Sequence, residues 1–450
     1  MRQKNDFCLP HLDFESENNM DQLETKKSMH AQPITEAVFI EFASSHPLNS
    51  IWQSPMMSHM QESKGKKVLY LGVFEGSELI GASSVVLEPA HFGKYHARTM
   101  RGPLLNYEDP GGRIAAQLNA ITKYLKKEKV LYWTADPYCI YSRRDLDGKI
   151  NPEFEVRTDL LEAFRMSGGL HSGFSTGIDN SHEPRWMYIV PLKSSKEQIL
   201  HSFERKCQRS ILRAEENDVT AREVNQSELY LVHELLNQAA KKHNFQWREA
   251  SYNENLWEAF HPSGAVKFLV AEVNLDQFTS KMEALIAENR QKLSKVEKQI
   301  QQVPSKKMEN RRQTLNEIIT SQNKRLDEVL KYKTQSKTLP LAAGIFFIYG
   351  NEVICLMSGY DEQYADFCGP YAMHWEMIQY CLNHGLNRYN LYGISGDFSS
   401  SAIDHGVYDF KRGFNGEVWE LMGEFQFPVD RTLYKAFKYL KAVKTKLKSF

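Results

Sequence analysis

The sequence predicts an α/β protein made of two repeated units, with an antiparallel pair of helices inserted into the second. Three observations predict it. A heptad rhythm breaks at one loop and resumes with its seam positions matched. The rest of the chain alternates short apolar runs with amphipathic helical stretches. The order of those segments is the same in both halves.

The helical pair lies at 276–337. Its first seam runs Met282, Ile286, Asn289, Leu293, Val296, Ile300, Val303. After the loop Pro304-Ser305-Lys306-Lys307 it resumes as Met308, Arg312, Leu315, Ile319, Gln322, Leu326, Val329. Folding at the loop sets Val303 against Met308, Val296 against Leu315, Leu293 against Ile319, Ile286 against Leu326 and Met282 against Val329. Asn289 then meets Gln322, an amide pair that fixes register at some cost in stability. Two helices of ~25 residues would each be roughly 37 Å long. The segment holds 14 basic and eight acidic residues, a net charge of +6, while the whole chain balances at 56 of each sign. A solvated projection, an RNA-facing surface and a surface for anionic lipid all fit that charge.

Around the arm, 266–273, 339–349 and 352–360 read as strands, 371–384 as a helix ended by Gly385, and 388–392 as a strand. The first half shows strands 68–74, 79–87 and 97–105, a helix 112–128 and a strand 130–135. Each half is β, β, β, α, β. The turn Glu75-Gly76-Ser77 joins the first two strands of the first half, and the arm takes that place in the second. A hairpin tip tolerates insertion well. The expected units are 31–190, then 191–275 with 338–428, with the arm at 276–337. Residues 1–30 are polar and acidic and read as disordered. Residues 429–450 read as a basic amphipathic helix: 431–450 carry seven Lys/Arg and no acid, with Leu433, Phe437, Leu440, Leu447 and Phe450 near helical spacing. Such a helix lies on anionic lipid or packs on a sheet.

This strand order, built twice, resembles two tandem acyl-CoA N-acyltransferase (GNAT)-like domains. The pyrophosphate loop of that fold is Arg/Gln-x-x-Gly-x-Gly/Ala at a helix N-terminus. Here the segment reads Phe367-Cys368-Gly369-Pro370-Tyr371-Ala372, so acetyl-CoA is not expected as donor.

With 42% hydrophobic and 25% charged residues the chain has a globular composition. It contains no apolar run of about 18 residues to span a membrane and no signal-peptide core. Its six cysteines form no C-x-x-C pair, which argues against a zinc site or a disulfide framework and for a reduced, cytoplasmic setting. There is no Ser-His-Asp order, no H-E-x-x-H, no Walker loop and no paired-carboxylate signature.

The most distinctive segment is Tyr408-Asp409-Phe410-Lys411-Arg412-Gly413-Phe414. A half-buried lysine there stabilises an oxyanion or grips a phosphate, unless the segment is only a strand edge. The loop Asn390-Leu391-Tyr392-Gly393-Ile394-Ser395-Gly396 follows a strand, where a ligand can approach the backbone. Lys206, Arg209 and Arg213 share a helix face that either binds phosphate or is simply solvated. Asp136 ends a strand, as a general base or as a loop cap.

Arg101-Gly102-Pro103, Asp136-Pro137, Arg185-Trp186-Met187, Ser202-Phe203, Gly393-Ile394-Ser395-Gly396, Phe410-Lys411-Arg412-Gly413-Phe414 and Gly423-Glu424-Phe425 together resemble the Fem family of peptidyltransferases. The resemblance runs from about Met29 to the C-terminus. It implies transfer of an amino acid (Ala, Ser or Gly) from aminoacyl-tRNA to the side-chain amine of the third stem-peptide residue of peptidoglycan precursor. It implies no metal and no organic cofactor. The arm is similar to that of members acting on lipid-linked precursor (lipid II), which would place the enzyme in the cytoplasm, touching the inner face of the membrane, as a monomer or weak homodimer. The resemblance makes Lys411 the leading catalytic candidate with Phe410 beside it, and leaves Asp136 and Glu424 as candidate bases. The expected substrate-binding set is Arg185, Lys206, Arg209, Arg213, Arg248, Tyr252, Tyr392, Gly393, Ser395, Arg412 and His59. His59 stands near the position where some members carry a phosphate-binding lysine, so that grip falls to His59 or to Lys206, Arg209 or Arg213. An enzyme using aminoacyl-tRNA on another small molecule or protein, and a non-catalytic scaffold binding through the arm, are the competing readings.

Overall fold

Among the described residues, two eight-stranded sheets make up the fold, and the second repeats part of the strand order of the first. The computed structural model describes residues 29–177, 182–242, 248–333 and 336–448. In chain order the first half holds β1 (Met29–Pro33), α1 (Glu36–Ser45), α2 (Pro55–Ser63), β2 (Lys67–Glu75), β3 (Glu78–Pro89), β4 (Tyr95–Met100) and β5 (Leu104–Leu105). It continues with α3 (Gly111–Lys127), β6 (Val130–Asp136), β7 (Ile140–Arg144), α4 (Thr158–Met166), β8 (Leu170–His171) and β9 (Trp186–Pro191). The second half opens with α5 (Lys196–Ser202), α6 (Arg205–Glu216), β10 (Val219–Glu223), α7 (Leu229–Lys242), α8 (Ala250–Phe260) and β11 (Val266–Asn274). The arm helices α9 (Leu275–Gln302) and α10 (Lys306–Lys333) follow. Then come β12 (Thr338–Tyr349), β13 (Glu352–Tyr360), α11 (Gly369–Asn383), β14 (Arg388–Ile394), α12 (His405–Arg412), β15 (Glu417–Leu421), β16 (Phe425–Pro428) and α13 (Arg431–Lys448).

The duplication is visible in the pairing. The run β1-β2-β3-β4-β6 in one sheet matches β10-β11-β12-β13-β14 in the other. In both, every neighbouring pair is antiparallel except the last, β4 with β6 and β13 with β14, which is parallel. The fold is α/β, with two GNAT-like units in tandem.

Three expectations need correcting. The strand expected over 97–105 is two: Arg101-Gly102-Pro103, with a cis Gly102–Pro103 bond, ends β4, and β5 turns back onto β3. The boundary at 190/191 does not separate the sheets. β7 and β9, from before it, pair in the second sheet, and β16, from after it, pairs with β6 in the first. Each repeated unit ends on an edge strand with unpaired backbone groups, and strands lent by the other half cover that edge. The expected N-terminal extension is shorter than 30 residues: Met29 and His30 already belong to β1, while residues 1–28 lie outside the described residues. So do Phe450 and the side chain of Leu447 in the expected C-terminal helix. Among the described residues no helix is long and apolar enough to cross a membrane.

The arm leaves the second sheet at the β11–β12 hairpin, whose register closes on Asn274↔Thr338. Asn274 caps α9, its Oδ1 accepting from the Asp276 and Gln277 amides at 3.0 Å each. Met282, Ile286, Val296, Leu315, Ile319 and Val329 are buried, and Asn289 Nδ2 donates to Gln322 Oε1 at 3.1 Å. Each helix has 28 residues, about 42 Å at the usual rise. The seam opens at its tip, because α9 ends at Gln302 and leaves Val303 extended and 71% exposed. At the other end the arm docks on its domain. Phe278, Met282 and Ile286 join the sheet's core, and Arg325 lies over Phe278 and Phe367 while donating to Asn217 Oδ1 at 2.9 Å.

The second sheet has two covered faces, as the period-2 alternation requires. Leu269, Ala271, Val353, Cys355, Tyr389 and Leu391 face α6, α11, α12 and the arm base. Phe268, Val270, Ile345, Phe347 and Ile354 face α7, α8 and the Trp52–Met60 segment of the first unit.

Candidate active site

β13 and β14 are hydrogen-bonded only through Glu352↔Arg388, Val353↔Tyr389 and Ile354↔Asn390. Beyond these pairs the strands part, although β13 continues to Tyr360 and β14 to Ile394. The corresponding pair β4–β6 stays bonded up to Met100↔Asp136. Lys411 fills the parting. It sits in the last turn of α12, a helix anchored by buried Tyr408 and stopped at Gly413. Its Nζ donates to the Gly393 carbonyl at 2.6 Å and lies within charge range of Cys355, so it bridges residues of the two strands that do not pair with each other. Burial pushes its pKa down to about 8, against the opposing pull of Cys355 and Asp404. Phe410, Tyr371 and Phe414 wall this point, with rings 5.0–6.2 Å apart. His374 lies alongside, sharing a 2.5 Å hydrogen bond with the Tyr389 hydroxyl. Burial, then Lys411, drives its pKa down to about 3, so the imidazole is neutral. The arrangement offers one desolvated ammonium, poised near neutral pH, to developing negative charge.

A second group of side chains lies on the other face, between the two units. Asp136 ends β6, and the Arg101 amide donates to its Oδ1 at 3.0 Å. The Arg101 guanidinium, 2% exposed, stands 3.4 Å from Asp136 Oδ2, donates to the Pro184 carbonyl at 2.7 Å and lies over the Trp52 and Tyr138 rings. Burial pushes Asp136 up to about 7; Arg101 opposes this, and Glu183 and Glu424 add to it. Tyr138 donates its hydroxyl to Glu352 at 3.1 Å, and Asn390 Nδ2 donates to both. Tyr392 stacks on Trp52, with centroids 5.8 Å apart, and its hydroxyl donates to Glu183. Arg248 covers the Tyr252 ring at 4.6 Å. Lys64, just past α2, has its pKa lowered by burial and then by Lys66 and Arg248.

The expected residues divide between these places. Lys411, Phe410 and Gly393 meet at the strand parting. Asp136, Tyr392, Tyr252 and Arg248 gather between the units around Arg101 and Glu183, and Glu424 acts on Asp136 from the edge of this group while its Oε1 accepts from Ser172. Lys206, Arg209 and Arg213 are exposed on α6, on the opposite face of the sheet from Arg248, so they cannot share a phosphate with it. His59 is turned to Glu36 at 2.8 Å. The cation beside Arg248 is Lys64 instead. Ser395 donates to Asp404 and is buried. Arg185 is buried on Glu420 at 2.8 Å, and Arg412 is paired with Asp147 and Glu204 on the surface. Ser395 and Arg185 have structural partners rather than an open face, while Arg412 is paired but still partly exposed. Sequence reasoning missed Glu183, Tyr138, Glu352, Lys64 and His374. It saw Arg101 only as part of a motif; the signal was there, since a Gly-Pro turn right after an arginine fixes where that arginine points.

A family model described as the FemAB family matches residues 34–442. The chain is 32% identical over 408 residues to an aminoacyltransferase FemB of Staphylococcus epidermidis (strain ATCC 12228 / FDA PCI 1200), covering 86% of this chain and 92% of that one. It is 28% identical over 419 residues to an aminoacyltransferase FemA of Staphylococcus aureus (strain bovine RF122 / ET3-1), covering 92% and 99%. Among solved structures it is similar to FemX, with a TM-score of 0.73 at 20% identity over 90% of this chain and 99% of that one.

Proposed function

The chain belongs to the FemAB family of aminoacyltransferases, and from that premise we propose that it moves Ala, Ser or Gly from aminoacyl-tRNA to an amine of lipid-linked peptidoglycan precursor. The acceptor is the side-chain amine of the third stem-peptide residue, or the end of the growing bridge. The observation that carries the reading is Lys411 Nζ, buried at the parting of β13 and β14 where it donates to the Gly393 carbonyl, with the exposed cations of α6 on that face of the sheet and the Asp136–Tyr392 group on the other.

The chemistry follows from an ester that is already activated. The neutral acceptor amine attacks the ester carbonyl carbon, and the C–N bond forms as the carbonyl π electrons move to oxygen. The Lys411 ammonium stabilises that oxyanion. Collapse restores the carbonyl and breaks the bond to the ribose oxygen, which leaves as a hydroxyl after taking the surplus proton of the attacking nitrogen. The acceptor ammonium must first give up a proton, and Asp136, held near 7, is the group suited to receive it. No nucleotide is consumed. The donor end enters on the face of α6 and the arm base, where Lys206, Arg209 and Arg213 are exposed and the arm is net positive. The precursor binds between the two units, its phosphates at Lys64 and Arg248 and its peptide along Tyr252 and Tyr392. The basic helix α13, with Tyr439 and Leu440 exposed, suits the surface of an anionic bilayer.

The test is mass analysis of lipid-linked precursor after incubation with the purified protein and Gly-, Ala- or Ser-charged tRNA. The expected product is heavier by one residue of one of the three. Transfer to another amine, with the precursor unchanged, would redirect the enzyme to a different acceptor.

A further inference from the structure

One turn of β14 separates the two groups of side chains. Tyr392 has φ +64°, a left-handed conformation that side chains disfavour, and β14 skips register against β9 between Asn390 and Gly393. Such a turn persists only where its surroundings hold it. The Tyr392 amide donates to Asn390 Oδ1 at 2.8 Å, and Asn390 is itself tied to Glu352 and Tyr138. The Tyr392 ring lies flat on Trp52, 4° from parallel, and its hydroxyl donates to Glu183. The next residue, Gly393, abuts Pro184 so closely that a Cβ would come within 2.6 Å of the proline ring. Pro184 is held in turn by Arg101. Clamped in this way, the turn presents the Gly393 carbonyl to the far face, where it receives Lys411.

We propose that Glu183 is a positioning residue for Lys411, acting through the Tyr392 hydroxyl and the Gly393 carbonyl. The inference rests on Lys411 as the catalytic lysine and adds the device that aims it. Glu183 and Pro184 are adjacent in sequence, and between them they grip both residues of the turn. Without the Glu183 bond the turn relaxes towards extended backbone and the carbonyl swings off the ammonium. A buried ammonium that loses its acceptor gives up its proton more readily.

The experiment is a pH profile of kcat at saturating substrates for Glu183→Gln, Glu183→Asp, Tyr392→Phe and the Glu183→Gln/Tyr392→Phe double variant, with wild type and Lys411→Met alongside. Glu183→Gln and Tyr392→Phe are expected to lower kcat about tenfold or more, the scale of a hydrogen bond to a charged group. Both should move the alkaline limb to lower pH, and the double variant should be no worse than the poorer single one. Glu183→Asp should recover part of the loss. Tyr392→Phe keeps the ring on Trp52, so it probes the bond with folding preserved. An alkaline limb unmoved in Tyr392→Phe and Glu183→Gln overturns the inference, as does an effect confined to the KM for precursor. If Lys411→Met still transfers, the reading of Lys411 fails first. If Lys411→Met is dead and the limb stays put, only the role of Glu183 fails.

Discussion

Lys411→Met is expected to lower kcat by on the order of 10²–10³-fold, the cost of removing one preorganised oxyanion donor, while leaving the KM of both substrates nearly unchanged. Methionine matches the aliphatic stem, so the wall made by Phe410, Tyr371 and Phe414 stays packed. It also removes a buried ammonium whose one hydrogen bond here is to the Gly393 carbonyl, so folding should be unharmed. A variant equally stable and almost inactive separates catalysis from structure. Lys411→Arg tests the geometry further: the guanidinium keeps the charge but is planar and larger than the buried ammonium it replaces, and transfer should remain poor.

The pH dependence should be a narrow bell. Asp136, raised to about 7 by burial, must be ionised to take the acceptor's proton, so the rate falls as pH drops through that value. Lys411, lowered to about 8 by burial, must be charged to stabilise the oxyanion, so the rate falls as pH rises through that value. Initial rates across the range measure both limbs. Asp136→Asn should abolish the acidic limb and cost about 10²–10⁴-fold in kcat, the usual worth of a positioned base. An acidic limb that survives in Asp136→Asn means the proton goes elsewhere, to the leaving ribose oxygen or to a substrate phosphate.

Much of this fold was legible in the sequence because the signals are local. The arm announced itself through heptads and through Asn289 and Gln322, which do meet. The repeat was legible because each β, β, β, α, β run is continuous in the chain apart from the inserted arm and each turn has its own chemistry. What stayed hidden is long-range. Nothing near Arg144 says that it will pair with Glu420 at 2.6 Å, and nothing near Phe425 says that it will cross to β6. The site divides the same way. Lys411 stood out through its aromatic and glycine neighbours. Glu183, Tyr138 and Glu352 did not, because each is an unremarkable residue until a strand from the other half is laid beside it. Helical spacing puts the α6 cations on one helix face, phosphate-binding or simply solvated, and is silent about which face of the sheet they occupy.

That question of faces is central to the proposed function, in which donor and acceptor would reach Lys411 from opposite sides of the second sheet. The most direct test is the pair of KM values, for aminoacyl-tRNA and for precursor, in Arg209→Ala/Arg213→Ala and in Arg248→Ala. The α6 variant should raise the KM for tRNA alone, and Arg248→Ala the KM for precursor alone, each by on the order of tenfold for the loss of charge-assisted contacts. If both variants raise the KM of the same substrate, the two faces do not divide the substrates and the account is wrong.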